Sequence, residues 1–97
     1  MIKSFQDSGV EDIYNRVNSR AARRTCPEQL WTIARRKLDQ LNAAVSLESL
    51  RIPPGNRLEA LQGSRSGQHS VRINDQYRIC FVWSDDGPQD VELADYH

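Results

Sequence analysis

The chain has 97 residues, 38% of them hydrophobic, which is enough for one packed core and too little for two. Thirteen cationic side chains balance thirteen acidic ones, which argues against a generally basic nucleic-acid binder, and no apolar run approaches the ~20 residues that cross a bilayer. The start, MIKSFQDSGV, lacks the apolar stretch of a secretory signal. One domain over residues 1–97 in the cytoplasm is therefore expected, with no membrane contact. Two cysteines and two histidines without C-x-x-C or H-x-x-x-H spacing suggest no metal and no cofactor; Cys26 and Cys80 read as reduced packing residues.

In chain order, IKSF is a short strand candidate. Val10, Ile13, Tyr14 and Val17 fall at i, i+3, i+4 and i+7, with Ser8 and Glu11 spaced as a capping box, which predicts a first helix. NSRAARRT breaks the pattern. Thr25 and Glu28 repeat the box ahead of a longer helix, with Pro27 tolerated in its first turn and Leu30, Ala34, Leu38, Leu41 and Val45 as its stripe. The two prolines and glycine of RIPPGN end the helical half. NRLEALQG, GQHSVRI, YRICFVW and DVELADYH then read as strands, the middle pair joined by NDQ, whose Asn and Asp tolerate positive φ. The fold expected is α+β, with two N-terminal helices on one face of a small, mainly antiparallel sheet.

Strand parity separates two faces. Val71, Ile73, Tyr77, Ile79, Phe81, Trp83, Val91 and Leu93 occupy odd positions, and the helices must cover them. His69 shares that parity and reads as a structural histidine. The even face then carries Arg72, Arg78 and Tyr96 with no helix above them, and His97 follows at the rim. An outward Arg78 makes few core contacts on this reading. Charge is segregated as well: five arginines lie between Arg51 and Arg78, against Glu59 and Asp75, whereas Ile79 onward holds five acids and no Lys or Arg. A local basic surface can meet phosphate although the sum is zero.

Two arginines, a tyrosine and a histidine converging on one face suit metal-free RNA cleavage. That reaction needs a base for the ribose 2′-OH, cations for the phosphorane and an acid for the leaving 5′-oxygen. Histidine titrates near neutrality, arginine grips two phosphate oxygens, and a tyrosine ring stacks on a base or positions a proton.

MIKSF, PPGNRLEALQGSRSGQHSVRINDQYRICFVW and VELADYH together resemble the HigB toxins of the RelE/ParE superfamily, the GraT-like branch in particular. The resemblance spans the whole length. It implies a RelE-like fold and a type II toxin that enters the ribosomal A site, cuts mRNA during translation and is neutralised by a HigA-like helix-turn-helix antitoxin, the toxin alone being monomeric. Its catalytic ending matches Asp95, Tyr96 and His97, and its strand arginine matches Arg78. Where some members have His-Pro-Leu-Lys-Gly, this chain has Glu59, Ala60, Leu61, Gln62 and Gly63. Either Glu59 acts as the base or His97 carries more of the proton transfer, with Arg57, Arg65 or Arg72 replacing the lost cation. Two competing readings are a ParE-like toxin that binds gyrase and cleaves nothing, and an inactive corepressor partner of an antitoxin.

Overall fold

In a computed structural model, which describes residues 1–96, three short helices precede a four-stranded antiparallel sheet of order β1-β2-β3-β4. The helices are α1 (Ser8–Tyr14), α2 (Arg20–Thr25) and α3 (Trp31–Ala43); the strands are β1 (Glu59–Ala60), β2 (His69–Arg72), β3 (Tyr77–Ser84) and β4 (Gly87–Asp95). The expected α+β class holds, with one helix more than the sequence pattern shows.

That helix is α2, inside the stretch that breaks the periodicity. Only Ala22 is buried along it, so no apolar stripe marks it. Ser19 makes it a helix: its Oγ accepts from Ala22 N at 3.0 Å and donates to Asp12 Oδ2 at 2.6 Å. Close packing against α1 requires Gly9, where a Cβ would lie 1.9 Å from Thr25 Oγ1 and 2.8 Å from the Ala21 carbonyl.

Both expected capping boxes are displaced. Asp7 caps α1 in place of Ser8, its carboxylate accepting from Val10 N at 3.0 Å; its negative charge suits the positive end of the helix. Thr25 closes α2, donating to the Ala21 carbonyl at 2.8 Å, and α3 begins only after a 3₁₀ turn over Glu28–Leu30. Trp31, Ala34, Leu38 and Leu41 bury the stripe of α3. Val17 and Val45 lie past the ends of their helices and are exposed.

Odd parity holds through β2, β3 and the second half of β4, and reverses only before the bulge in β4, where Trp83 pairs with the buried Pro88. Val71, Ile73, Ile79, Phe81, Val91 and Leu93 pack with Val10, Ile13, Ala34, Leu38 and Leu41 in one core, each fully buried aliphatic or aromatic side chain contributing ~1.5–3 kcal/mol. His69 also faces this side, stacked on Phe81 at 6.3 Å, as the structural reading expects. The β2–β3 turn closes without positive φ at Asn74 or Asp75. Asn74 Oδ1 instead accepts from Gln76 N and Tyr77 N at 2.9 and 2.8 Å, so the side chain does what a left-handed backbone would have done. A bulge opposite Phe81, with Asp90 at φ 53°, shifts the register between β3 and β4. IKSF forms no long strand; Phe5 bridges Val91 in parallel, and Lys3 N and Gln6 N donate to the Pro88 and Val91 carbonyls at 2.7 and 2.8 Å. These contacts shield the outer edge of β4.

Candidate active site

Register builds the even face in two rows. Glu59, Ser70, Cys80 and Glu92 are successive cross-strand partners, and Arg72, Arg78 and Ala94 form the neighbouring row. Among the described residues the core that α1 and α3 share with the sheet lies on the other face, as the parity argument requires. The face is nevertheless not bare: Ser70, Cys80 and Ala94 are buried, with Arg78, Arg65 and Tyr96 bonded across that side of the sheet.

Arg78 is the centre of the arrangement, and it is more deeply engaged than an outward strand residue would be. Its Nε donates to Ser70 Oγ at 2.7 Å, and Nη2 donates to the Arg57 carbonyl at 2.6 Å and more weakly to the Ser70 carbonyl at 3.4 Å. Few core contacts does not mean few contacts: a side chain long enough to span the face finds the buried Ser70 hydroxyl and the Arg57 carbonyl. All three acceptors are neutral oxygens, so they fix the guanidinium without cancelling its charge.

The other arginines differ in this respect. Arg65 Nη1 pairs with Glu92 at 2.8 Å and Gln68 at 3.0 Å, and the bond to Glu92 raises its pKa. Arg72 pairs with Asp75. Arg57 is exposed and left-handed, with φ 46°, a conformation that costs an L-residue about 1–2 kcal/mol.

Tyr96 turns back over the face. Its N–H donates to the Gln76 carbonyl at 2.7 Å, and its hydroxyl meets Cys80 Sγ at 3.6 Å, while the ring stays 44% exposed. Burial first, and then the Cys80 contact, push the phenol pKa up; Arg65 and Arg78 oppose the shift. Burial likewise raises the Cys80 thiol. Asp95, bonded by Gln76 Nε2 at 3.3 and 3.2 Å, joins Tyr96, Leu61, Gln62, Ser64 and Arg65 in lining a groove of about 480 Å³. Glu59 stands exposed on β1, in register with Ser70 and hence on the Arg78 face. His97 lies outside the described residues.

The structure therefore brings Arg78, Glu59, Arg65 and Tyr96 to one face, with Arg72 beside them and Arg57 supplying a carbonyl rather than its side chain. Sequence reasoning missed Ser70, Glu92 and Asn56. Even parity pointed at the first two as face residues, but nothing in their type announced a role. Asn56 was hidden at the seam of a segment read as a helix stop and then a strand.

Comparison with known proteins shows the family and the fold. Residues 3–97 match the family described as the RelE-like toxin of type II toxin–antitoxin system HigB. Toxin HigB-1 of Vibrio cholerae is 40% identical over 85 residues, covering 88% of this chain and 86% of the relative. An uncharacterized protein of Haemophilus influenzae is 37% identical over 57 residues, covering 59% and 56%. Two solved structures of the YoeB–YefM complex from Staphylococcus aureus each contain a chain with the same fold, at a TM-score of 0.55 and 20% identity, covering 100% of this chain and 95% of theirs. The chain belongs to the HigB-like family of RelE-like toxins of type II toxin–antitoxin systems.

Proposed function

We propose that the chain is a ribosome-dependent endoribonuclease that cuts mRNA by attack of a ribose 2′-OH on the adjacent phosphate, without a metal ion. The carrying observation is Arg78, held at three neutral oxygens on the sheet face opposite the core that α1 and α3 share. Its fixed and unneutralised charge suits a phosphorane. Glu59 lies on the same face two strands across and two residues along from Arg78, a backbone separation of roughly 12 Å, which leaves room for a phosphodiester between carboxylate and guanidinium.

In this reading a base, Glu59 or His97, takes the 2′ proton, and the 2′-oxygen bonds to phosphorus. Arg78 stabilises the added negative charge, the bond to the 5′-oxygen breaks, and His97 or a water returns a proton to that oxygen. The products are a 2′,3′-cyclic phosphate and a 5′-hydroxyl. The exposed Tyr96 ring beside the groove offers a base-stacking surface, and Arg65, Arg57 and Arg72 contribute to holding the RNA. Substrate positioning comes from the ribosome, because the chain has no net charge with which to gather free RNA. The partner that silences it is a HigA-like antitoxin, and the compartment is the cytoplasm.

Primer extension on mRNA after induction tests the proposal. Cuts inside translated codons, reproduced with purified ribosomes, are the expected result. Intact mRNA with supercoiling defects would point to gyrase, and efficient cleavage of naked RNA would remove the ribosome from the mechanism.

A further inference from the structure

Arg78 takes its position from a carbonyl whose own direction is set by a buried amide. Arg57 presents that carbonyl as acceptor from a left-handed conformation, which a residue other than glycine holds only where its surroundings impose it. The residue before it, Asn56, is fully buried at the end of the 3₁₀ turn Pro54–Asn56. Its Nδ2 donates to the Leu50 carbonyl at 3.1 Å and to Gln40 Oε1 at 3.3 Å, and its Oδ1 accepts from Lys37 Nζ. Backbone bonds from Asn56 N to Pro53 O at 2.9 Å and from Arg57 N to Pro54 O at 3.1 Å complete the turn.

Lys37 and Gln40 both belong to α3, which packs its stripe into the core on the other face of the sheet. A bonded path therefore runs from α3 through Asn56 to Arg57 and the guanidinium. We propose that Asn56, held by Lys37, is a positioning residue for Arg78: it locks the left-handed Arg57 so that one backbone carbonyl meets the guanidinium. Being fully buried, Asn56 touches no substrate. The half-buried Lys37 is spent on the amide, and burial together with Arg36 lowers its pKa. The inference rests on the assignment of Arg78 to the phosphate, and its test separates the two.

Lys37→Met removes the donor and keeps the apolar stem; Lys37→Gln serves if the first variant fails to fold, and Lys37→Arg is the conservative rescue. The Arg78 Nε–H resonance, assigned by its loss in Arg78→Lys, reads position directly. In Lys37→Met it should shift and exchange faster with solvent, and in Lys37→Arg it should recover. Single-turnover cleavage of ribosome-bound mRNA should fall about 10- to 100-fold, with ribosome affinity retained and no further fall in an Arg78→Ala background. An unchanged Arg78 Nε–H resonance, or an equal loss of rate in both backgrounds, overturns the proposal. Should Arg78→Ala cleave at the wild-type rate, the catalytic assignment falls, and the resonance alone still decides whether Asn56 and Lys37 position the guanidinium.

Discussion

Arg78→Ala tests the site and the fold together, because the same guanidinium serves both. Truncation deletes the strong bonds to Ser70 Oγ at 2.7 Å and the Arg57 carbonyl at 2.6 Å. Hydrogen bonds with one charged member contribute ~1.5–3 kcal/mol each, and partial exposure places these at the low end, so the fold should lose about 2–3 kcal/mol. For a domain of this size that lowers Tm by roughly 10–20 °C. The chemical loss is separate: removing a group that stabilises transition-state charge typically costs about 3–4 kcal/mol, or 100-fold and more in rate. Cleavage of ribosome-bound mRNA should therefore be measured well below the variant's own Tm, with circular dichroism as the control for folding. Arg78→Lys divides the two effects, since it retains charge and one bond but not the forked grip. Cleavage by a folded Arg78→Ala protein at near the wild-type rate would refute the assignment. An unchanged Tm would refute the account of the face as braced by this side chain.

The C-terminal pair should separate by role. His97→Ala is expected to lower cleavage about 100- to 10,000-fold with Tm unchanged, since the buried residues of β4 end at Ala94. Tyr96→Phe, which loses only the 3.6 Å contact to Cys80, should cut at a rate close to wild type, whereas Tyr96→Ala should not; a dead Tyr96→Phe would assign the hydroxyl to proton transfer. Gly9→Ala should destabilise by about 1–3 kcal/mol in thermal melts, because its Cβ would collide with Thr25 Oγ1 at 1.9 Å; an unshifted melt would mean that α1 and α2 slide apart freely. Burial pushes the Cys26 thiol from 9.0 to about 11, so its contribution is fully present below pH 9 and is lost as pH rises toward 11, on the order of 2–3 kcal/mol. Urea titrations over that range should show a shallower decline in Cys26→Ala, and an identical slope would exclude the thiol as a source.

The periodicities of the chain determined most of its architecture by themselves. Strand parity is a strict period of two, so the alternation in SVRI and YRICFVW assigned Val71, Ile79 and Phe81 to the core and Arg72 and Arg78 to the opposite face before any contact was known. The middle of the α3 stripe, Ala34, Leu38 and Leu41, was legible for the same reason, whereas Trp31 opens the buried stripe where Leu30 was expected and Val45 falls past its end. Other features depended on contacts distant in the chain. The helix α2 buries one residue and leaves no pattern, and the competing caps Asp7 and Ser8 are adjacent acceptors whose choice turns on a single backbone geometry. Arg78 looked free because parity reports direction and not reach; its partners at Ser70 and Arg57 are 8 and 21 residues away. Asn56 looked like the seam between a helix stop and a strand because its partners Gln40 and Lys37 lie 16 and 19 residues back. Only the folded chain brings α3, that turn and β3 together, since hydrogen bonds are short and directional and no local pattern records which distant group will satisfy a buried amide.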